Sequence, residues 1–472
     1  MKAACLLAIA LASSLPLSVG AQVATPALPP AALPSGPASS APPIPQTSSP
    51  ASPSIPNSSA TSPSATSPVT LTLTQAENMA LHNNPRIALE RLLALAQNQV
   101  TRETRSIEMP ALTGNITAVD SHAGSRITAG GLNNPVVYQR AAAGLTLSQL
   151  LTDFGRTRNL VGSAELRAQA SASAAEATAA DIKLAVDQAF YRALGAQSIL
   201  NVAQETVKAR QTNVDQISAL TNAKLRSTLD LSFANVALAQ AKLLLLNANN
   251  QAQDALTSLN ALLGEEGAPN FTLVQDEAAL PPPPQDPESL VSAAFAHRPD
   301  LLSLNQQAQA AKKFSAAEHD LNRPTLSALA AGGGTPVRAD AITSSWYGAV
   351  GVNLSIPVFN GFLFSARAQE ADLRARASER QVQDLRDAIA RDVRTTALQA
   401  RSNYERISVA RQLLDESNSA LDLAQLRYNL GLSSIVELSQ AQLQQTQALI
   451  DFADARYTYA ASLAEIRFQT GQ

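Results

Sequence analysis

The fold of this chain is decided by residues 346–356, which read WYGAVGVNLSI. Apolar residues and glycine occupy every second position of this stretch, namely Trp346, Gly348, Val350, Val352, Leu354 and Ile356. The intervening positions are Tyr347, Ala349, Gly351, Asn353 and Ser355. Period-two alternation over about ten residues predicts a β-strand whose two faces meet different surroundings.

The chain supplies four candidate strands. Residues 112–118 and 145–148 show shorter alternations, and the segment after Pro324 corresponds to the one after Pro110. No charge falls on the apolar face of 346–356, as the wall of a membrane barrel requires. A strand in lipid must belong to a closed barrel, because an open edge leaves backbone groups unpaired. Known barrels begin at about eight strands, so several identical chains would have to close one barrel together.

The rest of the chain is one unit written twice. Two prolines recur at a shift of 214, in the pairs Pro85 with Pro299 and Pro110 with Pro324. Farther along the chain the shift falls to 207 residues, and the segment AELRAQAS at 164–171 matches ADLRARAS at 371–378. Independent Ala-rich helices would not keep these blocks in order, so we predict a duplicated unit of helix, two strands and a long helical hairpin. The helix that opens the first unit is expected to run from Thr72 to about Glu108.

Long helices follow the glycine turns at 153–155 and 359–361. Apolar residues recur every seven positions in both copies, at Val186, Ala193, Leu200, Val207 and Val214 and at Val393, Ala400, Ile407, Leu414 and Leu421. A heptad repeat predicts helices that supercoil to the left. A helix over 156–221 would be roughly 100 Å long. The arginines from 367 to 386 alternate with acids, which predicts a salt-bridged helix face.

Five segments are predicted along the chain. A short apolar run followed by small residues indicates a cleavable signal peptide at 1–21. Residues 22–68 hold thirteen prolines and no charge, which predicts a disordered tether. The first repeat is expected at 69–264, a linker at 265–287 and the second repeat at 288–472. No later stretch approaches 18 consecutive apolar residues, so no transmembrane helix is expected.

Composition argues against most enzyme classes. The 35 basic and 38 acidic residues nearly balance, which gives no electrostatic footprint for nucleic acid. One cysteine excludes a disulfide framework, and the four histidines lack metal-ligand spacing. We expect no enzyme activity, no metal and no cofactor.

The ordered set of motifs resembles the TolC-type outer-membrane efflux and secretion channels over residues 70–472. The resemblance rests most on residues 426–442, LRYNLGLSSIVELSQAQ, and also on 145–156 and 354–361. It implies a homotrimer in the outer membrane of a Gram-negative cell, with a β-barrel of about 12 strands and a periplasmic α-barrel. It also implies a periplasmic adaptor and an inner-membrane pump as partners, with no cofactor on the channel. The alternative left open is a soluble periplasmic coiled-coil adaptor or structural protein.

In this family the turns between the long helices carry acidic residues that ring an aperture, with a tyrosine and a basic residue that latch it. By the resemblance, Asp230 and Glu437 are the acidic residues and Tyr428 is the latch tyrosine. Gln440 stands at a second acidic position, and Ser433 stands where the best-known member has its latch arginine. Lys224 is the candidate for replacing that cation. Six carboxylates from three chains at one constriction would favour cations.

Overall fold

The computed structural model describes residues 69–120, 140–265, 271–274, 280–337 and 344–471. The signal peptide and the tether predicted for residues 1–68 lie outside the described residues.

The described elements repeat in the same order along the chain. The first series is β1 (Val69–Leu71), α1 (Leu73–Asn83), α2 (Pro85–Arg105), β2 (Ala111–Val119), β3 (Arg140–Thr152), α3 (Arg156–Asn222) and α4 (Thr228–Leu263). The second series is β4 (Phe271–Leu273), α5 (Pro287–His297), α6 (Pro299–His319), β5 (Thr325–Val337), β6 (Trp346–Ser355), α7 (Leu363–Asn429) and α8 (Ile435–Gln469). The predicted plan of helix, strand pair and long helical hairpin is confirmed in both series.

The helix expected from residue 72 to about residue 108 is wrong as a single element. Asn84 has an extended backbone, with φ −67° and ψ 121°, and separates α1 from α2. Proline disfavours helical geometry in the residue before it and suits the first position of a helix. The Asn84 side chain then caps α2 by accepting a hydrogen bond from the Arg86 N–H at 3.0 Å.

The four long strands form one antiparallel sheet in the order β2-β3-β5-β6. Facing residues form rows across it, and one apolar row consists of Leu112, Leu147, Ala330 and Val350. The adjacent row on the opposite face consists of Thr113, Thr146, Ala331 and Ala349. Val350 is 89% exposed in the isolated chain, as is Ile116. Because β2 and β6 are the outer strands, both edges of the sheet are unpaired within the described part of one chain.

The helices α3 and α7 have 67 residues each, which gives each a length of roughly 100 Å. Each packs along the helix that follows it, and α3 also packs against α6 and α8. Alanine is the commonest residue at the buried positions of these two helices, and it lets helix backbones approach closely. The predicted heptad column is buried at Val186 and Ala193, but farther along α3 the buried column is Ala203, Arg210 and Ile217.

The second repeat shows the same displacement of the buried column, from Ala400 to Ala410, Ser417 and Ala424. The step from Ala193 to Ala203 is three residues longer than a heptad, as is the step from Ala400 to Ala410. Three residues make slightly less than one helical turn, so this step moves the buried column by about 60° around the helix. In both hairpins, the buried face of the long helix therefore changes at the corresponding position along the helix.

A small parallel sheet that the sequence did not predict joins the two repeats, since β1 pairs with β4. It contributes Leu71 and Leu273 to a core with Phe190, Leu259 and Leu263. Among the described helices, α4 is apolar and long enough to cross a membrane by composition alone, although none was expected. It packs along α3, and Leu238 and Ala241 are among its buried residues.

Candidate functional site

The turns that end the two long helices share one backbone plan. Lys224 and Gly431, which lie 207 residues apart, both adopt left-handed conformations, with φ 61° and φ 71°. Each turn is then capped by a serine, because Ser227 accepts a hydrogen bond from the Leu229 N–H and Ser434 accepts one from the Glu437 N–H. A left-handed lysine costs about 1 kcal/mol that glycine does not.

Tyr428 lies inside the apolar cluster where four helices meet near these turns. Its neighbours in the cluster come from α3, α4, α7 and α8 and are Ile217, Ala234, Ala424, Ile435, Leu438 and Ala441. Tyr428 is 5% exposed, and its buried hydroxyl has no hydrogen-bond partner among the described residues. Burial raises the pKa of this hydroxyl, the Arg226 charge opposes that rise, and the Asp230 charge adds to it.

Arg226 joins the first hairpin to the second at this cluster. Its guanidinium carbon lies 4.2 Å from the centroid of the Tyr428 ring, within the range of a cation–π interaction. Its Nη2 also donates a hydrogen bond of 2.8 Å to the Tyr428 carbonyl oxygen. Arg226 is half-buried, so both interactions are partly shielded from water.

A second charged contact lies within the α7–α8 hairpin. The Arg427 Nε is 3.3 Å from Glu437 Oε1, and both side chains are about half exposed. Together with the exposed Gln440, these two residues line a shallow groove of about 310 Å³ between α7 and α8. Exposed ion pairs of this kind contribute at most about 1 kcal/mol to stability, so the pair orients the carboxylate more than it stabilises the fold.

The structure therefore brings the sequence-predicted residues together in two groups and leaves one apart. Asp230 is half-buried and lies near enough to Tyr428 for its charge to act on the tyrosine. Glu437 and Gln440 share the α7–α8 groove. Lys224 is exposed, and its side chain makes no hydrogen bond or ion pair with any described residue.

Arg226 and Arg427 are the two charged residues of the site that sequence reasoning missed. Arg226 lies 207 residues before Ser433, so the first repeat carries an arginine where the second carries serine. That correspondence was available from the internal repeat and would have favoured Arg226 over Lys224. In the part of the chain that the structure describes, no group of three His, Cys, Asp or Glu residues is placed to hold a metal ion.

Comparison with known proteins matches this geometry to one family. The model of the outer membrane efflux protein family matches residues 77–265 and 290–472. The outer membrane protein TolC of Salmonella enteritidis is 23% identical over 427 residues, which cover 85% of this chain and 83% of that protein. The outer membrane protein OprJ of Pseudomonas aeruginosa is 25% identical over 404 residues, covering 82% of this chain and 81% of that protein.

Solved structures of similar fold include the Campylobacter jejuni CmeC outer membrane channel, with a TM-score of 0.75 at 18% identity. That match covers 84% of this chain and 85% of CmeC. The outer membrane protein VceC of Vibrio cholerae matches with a TM-score of 0.72 at 17% identity, over 84% of this chain and 96% of VceC. The duplicated architecture, the membrane-type sheet and the family match agree, and the chain belongs to the outer membrane efflux protein family.

Proposed function

We propose that three copies of this chain form the exit duct of a tripartite efflux or type I secretion system, a passive channel through the outer membrane. The observation that carries the proposal is the four-stranded sheet, which has two unpaired edges and an uncharged apolar face. Backbone groups at such edges must be paired in lipid, and neighbouring copies supply the partners. The 67-residue helices continue from the sheet and provide the wall of a tube below the membrane.

An exposed apolar face on α4 supports the same arrangement. Val236, Leu243 and Leu246 are each more than half exposed in the single chain, and Phe233 is 40% exposed. A contiguous apolar face on a helix far from the strands indicates burial against another chain. In the proposed trimer this face packs against the neighbouring copy. The soluble periplasmic adaptor, the alternative function, would not need the apolar face of the sheet.

The two turns form the periplasmic aperture in this proposal. Arg226 ties the first hairpin to the second through Tyr428, and Arg427 holds Glu437 at the groove. Asp230 and Glu437 from three copies would concentrate negative charge at the constriction, which favours cations. A periplasmic adaptor docks at this end, and an inner-membrane pump supplies the energy.

The mass of the assembly tests the channel itself. Protein extracted from isolated outer membranes should have a detergent-corrected mass near three chains. A monomer or dimer recovered from the soluble periplasm would overturn the proposal and favour the adaptor alternative.

Single-channel conductance in planar bilayers tests the role of Arg226. Arg226→Gln should raise the conductance of the closed channel several-fold, because it removes both contacts with Tyr428. Lys224→Gln is the charge-matched comparison from the same turn, and it should leave the conductance near that of the wild type. An equal rise in conductance in both variants would show that only the loss of a positive charge matters. It would contradict a role for the contacts between Arg226 and Tyr428.

Reversal potentials in a salt gradient test the acidic residues. The double variant Asp230→Asn with Glu437→Gln should lower the cation-to-anion permeability ratio. Gln440→Glu should raise it, since it adds a carboxylate to the same groove. Glu370→Gln, at an exposed position near the start of α7, serves as the control for a carboxylate far from the turns. Equal selectivity in all four proteins would place the constriction elsewhere.

A further inference from the structure

Arg210 occupies a buried core position of α3. It lies one heptad after Ala203 and one heptad before Ile217, and it is 8% exposed. The corresponding residue of the second repeat is Ser417, whose hydroxyl donates to the Leu413 carbonyl oxygen at 2.6 Å. The first repeat therefore buries a permanent positive charge where the second buries a small hydroxyl.

No counter-charge for Arg210 is present among the described residues, with which its guanidinium forms neither an ion pair nor a hydrogen bond. The nearby acids of the same helix have other partners. Glu205 lies 3.8 Å from the Lys208 ammonium, and Asp215 accepts a hydrogen bond from Gln211. Burial lowers the pKa of Arg210, so its charge is partly desolvated without a compensating partner.

A solvent-open cavity of about 760 Å³ adjoins this guanidinium. Three helices line it, and the lining residues beside Arg210 are mostly amides and hydroxyls, including Asn213, Gln425, Gln442, Gln445 and Thr446. The charges of Glu205 and Lys208 cancel, so the lining has one net positive charge, which belongs to Arg210. The buried Gln442 Oε1 also lacks a partner among the described residues, so a second polar group of the cavity is unsatisfied.

We propose that this cavity binds a small anion bearing a carboxylate, phosphate or sulfate group. The planar guanidinium can donate two parallel hydrogen bonds to such a group. The Gln442 amide, turned about its last bond, adds N–H donors.

The bound anion bridges the two hairpins, because α3 belongs to the first and α7 and α8 belong to the second. Arg210 lies twelve residues before the end of α3, or roughly 18 Å along the helix from the turn. Occupancy therefore stabilises the packing of the first hairpin on the second close to the site described above. This inference does not depend on the proposed channel function.

Thermal unfolding of the full-length protein in detergent, with inorganic phosphate as the probe, tests this site. Phosphate should raise the Tm of the wild type by several degrees and reach saturation, relative to sodium chloride at matched ionic strength. Arg210→Ser, which copies the residue of the second repeat, should lose the saturable part. Arg411→Ser removes the same side chain from an exposed position of α7 and should retain it.

Two results would overturn the proposal. One is an equal phosphate response in the three proteins, which is the general stabilisation that phosphate gives by exclusion from protein surfaces. The other is no response in the wild type. If Arg210→Ser does not fold, Arg210→Gln takes its place, and isothermal titration of the wild type should show one phosphate site per chain. Absence of heat in that titration would also refute the site.

Discussion

The ion pair between Arg367 and Glu318 provides the sharpest test of how α6 and α7 are held together. Arg367 donates from Nε to Glu318 Oε2 at 2.7 Å and from Nη2 to Oε1 at 3.1 Å. The Glu318 side chain is only 3% exposed, whereas that of Arg367 is 45% exposed. Arg367→Met leaves a buried carboxylate without its partner, which costs about 3–5 kcal/mol per chain.

The matched control is Arg374→Met on the same helix. Arg374 pairs with Glu370 at 2.7 Å, but these side chains are 74% and 57% exposed. Such a pair contributes about 0.3–0.5 kcal/mol. The two variants remove the same chemical group and differ in the burial of the carboxylate left behind.

These losses of unfolding free energy correspond to measurable changes in melting temperature. Unfolding entropy of about 2.1 cal/mol/K per residue gives roughly 0.8 kcal/mol/K for a folded unit of about 400 residues. Arg367→Met should therefore lower the Tm by about 4–6 °C, and Arg374→Met by less than about 1 °C. Circular dichroism at the helical minimum, in detergent, follows both transitions.

A double variant completes the test. Arg367→Met combined with Glu318→Gln removes both charges, so most of the lost stability should return. The reasoning is refuted if Arg367→Met and Arg374→Met have the same melting temperature. It is also refuted if the double variant is no more stable than Arg367→Met alone.

Three further predictions concern stability. Burial and the neighbouring Glu77 charge raise the pKa of Asp187 to about 7, and the Arg467 charge opposes that rise; the folded chain then holds a proton that the unfolded chain releases, so the stability from this group falls as the pH rises from about 4 to 7, and Glu77→Gln should reduce that fall in Tm. Gly264→Ala should destabilise the chain by at least about 2 kcal/mol in a denaturant titration, because φ is +73° and the added Cβ would lie 2.8 Å from a backbone oxygen of α1. Tyr459→Phe should cost about 1–2 kcal/mol in the same titration, since the Tyr459 hydroxyl donates to the Pro281 carbonyl oxygen at 2.5 Å.

Gly431 provides the control for the glycine prediction. Its φ is +71°, but an added Cβ there would meet nothing within 4 Å. Gly431→Ala should therefore cost only the conformational strain, about 1 kcal/mol. Equal losses at both glycines would show that the contact with α1 is unimportant. For Asp187, an unchanged pH dependence in Glu77→Gln would exclude the coupling between the two carboxyls.

The sheet and the long helices were predictable because their signals are local. Alternation in 346–356 and the recurrence of prolines and helix blocks are properties of short segments. The β1–β4 pair was not predictable, since three-residue strands are too short to show alternation and they meet across about 200 residues of chain. The break at Asn84 was missed because a proline that begins one helix looks the same as one that interrupts a longer helix.

The positions of the two turns were predictable, but the contacts of the candidate residues were not. The resemblance located both turns, and the structure places Tyr428 in the cluster where they meet. Which cation meets Tyr428 depends on how the first hairpin packs on the second, and local sequence does not determine that packing. Arg210 was missed for a related reason: sequence reasoning followed the single column that contains Val207 and Val214, whereas the buried column at this level lies three residues further along α3.

The two unpaired edges of the sheet have a genetic consequence. In the proposed ring, β2 of each chain pairs with a strand of one neighbour and β6 pairs with a strand of the other. A variant with a damaged β6 and an intact β2 would still join the ring and leave a gap in it. If such a variant were coexpressed with the wild type at equal levels, only about one assembly in eight would contain three intact chains. Lesions in an edge strand should therefore be dominant over the wild-type allele, whereas loss of the whole gene should be recessive.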